Sequence, residues 1–459
     1  MGPIITGIVF CLAAVGAAFA LRPGYAASLA LPRATILWIL AAPILFVSPS
    51  ALLALVICAI AVVLLTPPGA EERAVFYLMA LFAVPSALSA QIPFPGINYL
   101  TNLDFARAVC LALLVPVLIF EKPSPNFRYA RAPGLFVLAL TLLYSAQEFR
   151  SANLTSGIRN IVDDFLLYFI PFAALTRLLT KREHFDKAIG ALGYVALIFF
   201  FAASISEAVN WNFYTYITER FGNAAFADFR DGVLRVSVTV NTILCGYVMA
   251  LGLLAVEYFR ANRKIGSLAA WFQRLAFVSG AYLTYSRGAW LSMAAAFSTY
   301  YFFTKAPRSI RMPAVILGLV ILIPVGIYFA MHADFSSIDK FGTFEYRQQL
   351  LRTSIIQIKE HPLFGDPNFR QSANFANLVQ GQGIVDIVNH YIQIALAHGL
   401  IALGIYVGAF AATAFGLFSL RKQIRQNDDR VLERQRAVFV AALAGYLLMI
   451  ATTSAVSLT

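Results

Sequence analysis

The chain is a succession of apolar runs, most near bilayer length, separated by short charged breaks. A bilayer core is crossed by a helix of about 20 apolar residues. In hydrocarbon, each backbone N–H and C=O must be bonded within the protein, which favours helices over any irregular path. The runs lie near 3–21, 34–47, 50–66, 74–90, 104–121, 132–146, 159–177, 188–208, 237–258, 268–284, 287–304, 312–331, 388–418 and 436–456. They predict an all-α polytopic membrane protein with about 12–14 transmembrane helices. Pro43 and Pro49 make the 34–66 stretch either two short helices or one long kinked helix.

Charged residues make up 13% of the chain, against about 25% in a soluble domain. The net charge of +12 is not a nucleic-acid signal. Its surplus sits in alternate short loops, 121–131, 176–187, 259–274, 305–311 and 420–436, which the positive-inside rule places in the cytoplasm. The opposite loops are 147–159, 209–235 and the long 332–387. A connector of that length is a functional candidate. Within it "YRQQLLRTSIIQIKEH" (346–361) has apolar residues at helical spacing and is expected to form an amphipathic or re-entrant helix. The chain thus divides into a transmembrane bundle (1–331), an extracytoplasmic, periplasmic loop (332–387) and C-terminal transmembrane helices (388–459). Cys11, Cys58, Cys110 and Cys245 lie inside apolar runs without metal-type spacing and read as packing residues. The opening "MGPIITGIVFCLAAVGAAFA" lacks a basic n-region and reads as the first span.

One cation stands out. Between Arg274 and Lys305 the only charge is Arg287, in "LTYSRGAWLSM" (283–293). Both flanking loops are basic, so both belong on one side. The segment is therefore expected to be a hairpin turning at Ser286–Gly288, with Arg287 recessed at the outer-leaflet level. Arg159, Arg235, Arg347 and Arg352 share that side, with Arg150, Arg220, Arg230 and Arg370 in loops. Topology-setting cations belong in the cytoplasm, so an outer surplus points to an anionic ligand. Guanidinium groups bind phosphate bidentately and stay charged in poorly hydrated cavities. Converging at membrane depth, they suit a lipid-borne pyrophosphate and would stabilise a departing diphosphate as a metal ion does elsewhere. The acids Asp334, Asp339, Glu345, Glu360, Asp366 and Asp386 are scattered, so neither a metal site nor another cofactor is expected. His390 and His398 lie at the mouth of span 388–418 and share roughly one helical face. His390 is expected nearer the outer surface, placed to take a proton from an acceptor hydroxyl. His184 and His361 read as structural.

"TYSRGAW" (284–290), "YRQQLLRTSIIQIKEHPLFG" (346–365) and "VNHYIQIALAHGLIALGIY" (388–406), in this order and spacing, resemble the O-antigen ligase and Wzy-type polymerase superfamily. "RVSVTVNTILCGY" (235–247) is similar to a weaker fourth block, and the resemblance runs roughly over 140–450. It implies a GT-C-related membrane fold. It also implies metal-independent transfer of glycan from undecaprenyl diphosphate at the outer face of the bacterial inner membrane. Arg287 and Arg347 match the family arginines expected on the lipid diphosphate. The family histidine aligns with Val388, two residues before His390, with Asn389 on the family asparagine and Tyr391, Gln393 and Gly399 in register. That departure favours a polymerase of O-antigen or exopolysaccharide repeats over a ligase, with His390 as base, or Asp386 or Glu345 in its place. The partners so implied are lipid-linked glycan donor and acceptor, the bilayer, and export or chain-length-control proteins. The alternatives are ligase transfer of finished glycan to a lipid or protein, and, of a different class, a lipid-oligosaccharide transporter. No internal repeat or paired midplane charge points to the last.

Overall fold

The structure is a computed structural model. It describes residues 2–22, 24, 28–95, 99–121, 127–150, 153–223, 229–230, 232–307, 309–311, 313, 317, 343–379 and 385–453. The helices are α1 (Gly2–Ala20), α2 (Ala30–Val47), α3 (Ala51–Leu65), α4 (Ala70–Ala80), α5 (Phe105–Phe120) and α6 (Phe127–Gln147). Then come α7 (Leu154–Asp164), α8 (Ile170–Leu178), α9 (Arg182–Ala208), α10 (Phe213–Arg220), α11 (Thr242–Ala261), α12 (Ser267–Tyr282) and α13 (Arg287–Lys305). The last three are α14 (Thr343–Glu360), α15 (His390–Asn427) and α16 (Arg430–Ala451). Two small antiparallel ribbons complete the fold, β1 (Ser89–Gln91) with β2 (Asn102–Asp104) and β3 (Phe229–Arg230) with β4 (Val233–Leu234).

This is an all-α polytopic membrane protein. Among the described residues, seven helices are long and apolar enough to cross a bilayer: α1, α2, α6, α9, α11, α15 and α16. Other expected spans are present in shorter or interrupted form. The run at 74–90 is helical only over α4, and the expected span 312–331 lies outside the described residues apart from 313 and 317. Two interruptions share one cause. Five-residue π-helical turns occupy Cys110–Leu114 within α5 and Phe165–Phe169 between α7 and α8, each followed directly by a proline-bearing turn, at Pro116 and Pro171. A proline ring clashes with the preceding turn and lacks an N–H, and a widened turn absorbs both defects.

The bundle has one basic end, where the charges are paired: Arg182 with Asp429, Lys187 with Glu72, Lys264 with Asp186 (2.9 Å), Arg274 with Glu257 (2.6 Å) and Arg311 with Glu433 (2.7 Å). Its core is dense with small residues. A Cβ on Gly246 would run into Ala289 and one on Gly252 into Ala196, so α11 packs closely on α13 and α9, as small residues permit in membrane bundles.

α15 departs from the sequence expectation. Run 388–418 was expected as one span, yet Gly399 adopts φ +83°, ψ 177°. A straight helix would hold residues 390 and 406 about 24 Å apart. The rings of His390 and Tyr406 instead lie 5.5 Å apart, and those of Tyr391 and Tyr406 6.2 Å. The chain therefore folds back at Gly399 into a short arm, 390–398, and a long arm, 400–427. The segment Pro362–Asp366 docks on the bend and satisfies its open backbone groups. Leu400 N–H donates to Pro362 O (2.8 Å), and Asp366 N–H donates to Leu396 O (2.7 Å). Arg150 donates to Phe364 O and Gly365 O, each at 2.6 Å. α14 forms where the amphipathic helix was expected. With Phe369, Phe375, Leu378, Val385 and Ile387, its Leu350 makes a small apolar core against Leu396 of the short arm.

Candidate functional site

The end of the bundle opposite the basic one gathers the candidate residues. The hairpin is present. α12 ends at Tyr282, and Tyr285 turns the chain at φ +43°. The turn spans Leu283–Ser286, slightly before the expected Ser286–Gly288, so Arg287 is the first residue of α13. The two helices do not lie tightly on each other. α12 packs mainly on α11, and α13 mainly on α16 and then on α11.

Arg287 is exposed and has no hydrogen bond or ion pair among the described residues. Ser286 gives α13 no side-chain cap, and the first turn carries no acid. The first N–H groups of a helix lack internal partners, and its N-terminus repels a cation by about 0.3–1 kcal/mol. An arginine there, with uncapped N–H groups beside it, is a site arranged for an anion.

Arg235 stands next to it. Its Nη2 donates to Thr242 Oγ1 at the head of α11 (2.9 Å), and Val236 N–H donates to Leu283 O (3.1 Å), binding the 235–240 segment to the turn. Gly288 in turn faces Ile243 and Thr452. His390 reaches the same place from another side. Its neighbour Asn389 donates to Ala451 O at the end of α16 (3.1 Å), and Tyr391 donates to Leu447 O (3.1 Å). Arg287 and His390 thus flank the end of α16. Nδ1 of His390 is buried without a hydrogen-bond partner among the described residues.

The expected depth order of the histidines is reversed. His390 starts the short arm beside Tyr406 of the long arm, while His398 sits at the bend. His398 stacks on Tyr144 (4.1 Å) and bonds Gln147 Oε1 (2.7 Å) at the end of α6. It serves the bend, not the candidate site.

Arg347 and Arg352 are exposed on α14, which packs on the short arm. Tyr346 OH bonds Asp386 at both N and O (3.1 Å each). The half-buried Asp386 therefore lies between α14 and the short arm, while Glu345 is exposed in the first turn of α14. Arg159 differs from the other arginines. It is 9% exposed, donates to Leu100 O (3.0 Å) and Tyr99 O (2.7 Å), and stacks on the Tyr99 ring at 3.6 Å. Two of its five N–H groups are committed to the 99–100 backbone. Arg220 caps the α2 carbonyls of Leu45 and Phe46 and Ser48 O, and Arg370 lies over Phe369 (5.5 Å). The Arg230 side chain, His332, Asp334 and Asp339 lie outside the described residues.

Two polar features escaped sequence reading. Buried Arg107 joins Asp104 (2.5 Å) and Asp163 (3.2 Å). Glu207, in the last turn of α9, has a buried Oε2 without a hydrogen-bond partner among the described residues. Among the described residues no group of three or more His, Cys, Asp or Glu side chains is placed to hold a metal ion.

No curated protein matches the chain. A family model described as O-antigen ligase matches residues 275–407. The match takes in Arg287, Arg347, Arg352, Asp386 and His390, and leaves Arg235 and Arg159 outside. It is narrower than the resemblance seen over 140–450. Over residues 275–407 the chain is similar to the O-antigen ligase family.

Proposed function

We propose that this protein is a membrane glycosyltransferase that polymerises undecaprenyl-diphosphate-linked oligosaccharide repeats into O-antigen or exopolysaccharide. The observation that carries the reading is Arg287: exposed, without a hydrogen bond or ion pair among the described residues, at the uncapped N-terminus of α13. A diphosphate placed there meets a guanidinium and free N–H groups together, and both strengthen as charge builds on the leaving oxygen. Arg235 extends the cradle from the α11 side. Arg347 and Arg352 approach from α14, and Arg159 supports the neighbouring wall through the 99–100 segment. His390 takes the proton of the attacking hydroxyl as the bond from the anomeric carbon to the diphosphate breaks. Asp386 and Glu345 are the alternative bases.

In this reading the basic end faces the cytoplasm of a bacterial inner membrane and the site opens to the periplasm. Residues 1–331 form the membrane bundle, 332–387 the loop over the site, and 388–459 the helices that complete it, in a GT-C-related arrangement. Arginines carry the charge-neutralising role, with no metal and no cofactor. The partners are the lipid-linked donor and acceptor, with export or chain-length-control proteins receiving the product.

The family description favours a second reading, transfer of finished glycan to a lipid or protein acceptor. Purified protein given lipid-linked repeats separates them. A ladder of repeats identifies a polymerase; a single glycan appearing only on an added acceptor identifies a ligase. Neither product from lipid-linked donor would overturn the transferase reading.

A further inference from the structure

Arg287 and Glu207 are both set against their helix dipoles. A cation opens α13, and an acid stands in the last turn of α9, which carries no basic residue. Each placement costs stability, because a helix C-terminus repels an anion as its N-terminus repels a cation. The two ends are adjoining. Trp211 N–H donates to Ser206 O (2.9 Å), and Asn212 Nδ2 donates to Arg235 O (3.0 Å). The next residue, Val236, is bonded to Leu283 of the hairpin turn. The phenol of Tyr285 in that turn is raised by burial and then by the Glu207 carboxylate. A buried carboxylate oxygen without a partner is rare and needs a donor.

We propose that Glu207 is a specificity-determining residue that accepts a hydrogen bond from a hydroxyl of the sugar joined directly to the lipid diphosphate. The proposal rests on the diphosphate reading of Arg287 and Arg235. A carboxylate repels the diphosphate itself, so its partner is a neutral donor. Covalent linkage puts the first sugar next to the diphosphate, and its hydroxyls are the nearest such donors. The carboxylate then selects glycosylated lipid over bare lipid diphosphate.

The test measures binding of the full chain in nanodiscs. The probes are undecaprenyl diphosphate alone and the same lipid carrying one glucose, galactose or N-acetylglucosamine. Wild type is expected to bind at least one sugar-bearing form about tenfold or more tightly than the bare lipid, the size of one hydrogen bond to a charged acceptor. Glu207→Gln abolishes that gain and leaves bare-lipid affinity unchanged or raised, because a charge that repels the diphosphate is gone; bare-lipid binding that persists also shows that the variant is folded. Glu207→Asp retains part of the gain. Equal wild-type affinity for all four lipids, a gain that survives in Glu207→Gln, or loss of bare-lipid binding in Glu207→Gln overturns the proposal. Arg287→Ala weakens every form. If it weakens none, the diphosphate reading itself falls, whatever Glu207 does.

Discussion

Gln147 and His398 are joined twice. His398 Nδ1 donates to Gln147 Oε1 (2.7 Å), and Gln147 Nε2 donates to His398 O (3.2 Å). One carboxamide thus fixes both the imidazole and the last carbonyl before the bend in α15. Gln147→Leu leaves two polar groups without partners at a helix break. Each such loss costs about 1–3 kcal/mol. The expected result is a lower thermal unfolding midpoint in detergent and faster proteolysis near Gly399. Unchanged values for both would mean that the bend does not depend on Gln147.

The bend also depends on two glycines. Gly399 (φ +83°) and Gly365 (φ +64°) face each other's segments. A Cβ on the first would enter the Leu363 carbonyl, and one on the second the Leu396 carbonyl. Side chains rarely adopt that backbone, and holding them there costs about 1–3 kcal/mol before any clash. Gly399→Ala and Gly365→Ala are expected to reduce folded yield more than Gln147→Leu, measured as monodisperse protein by size-exclusion chromatography. Wild-type yield for both would show the docking of 362–366 to be dispensable.

Arg159 gives a contrast with Arg287. Its guanidinium bonds two backbone carbonyls and stacks on Tyr99, so its removal is structural. Arg159→Ala is expected to cost about 3–6 kcal/mol through two lost charged hydrogen bonds, seen as a lower unfolding midpoint. The KM for lipid-linked donor changes little in the protein that remains folded. A raised KM with an unchanged midpoint would instead place Arg159 on the donor.

The hairpin at Arg287 was legible because charge and hydropathy act through the whole chain. Basic loops on both flanks force an even number of crossings, whatever the local packing. The helix 343–360 was legible from its period. The fold-back of α15 was not. Residues 390–421 form one apolar run, and a glycine within such a run is ordinary; only contacts with Pro362–Asp366, far away in sequence, make its positive φ stable. Hence the histidines were given the wrong depth order. Arg159 was read with the phosphate ligands because its partners are backbone carbonyls, which have no sequence signature. Glu207 was overlooked for a similar reason. An acid at the end of an apolar helix reads as an interfacial charge until its buried, unpartnered oxygen is seen.

Arg287 separates stability from function most sharply. Among the described residues it makes no hydrogen bond or ion pair, and it opposes its own helix dipole. Arg287→Ala is therefore expected to leave the unfolding midpoint unchanged or slightly raised. Transfer from a lipid diphosphate loses a donor aimed at developing charge, an effect of about 10²–10³ in kcat for comparable groups. Arg287→Lys keeps the charge but not the planar fork, so it restores only part of the rate. The pair of measurements is the check. A fall in midpoint with proportionate loss of turnover would make Arg287 a structural residue. A stable protein with turnover reduced in the order Arg, Lys, Ala is what a diphosphate ligand requires.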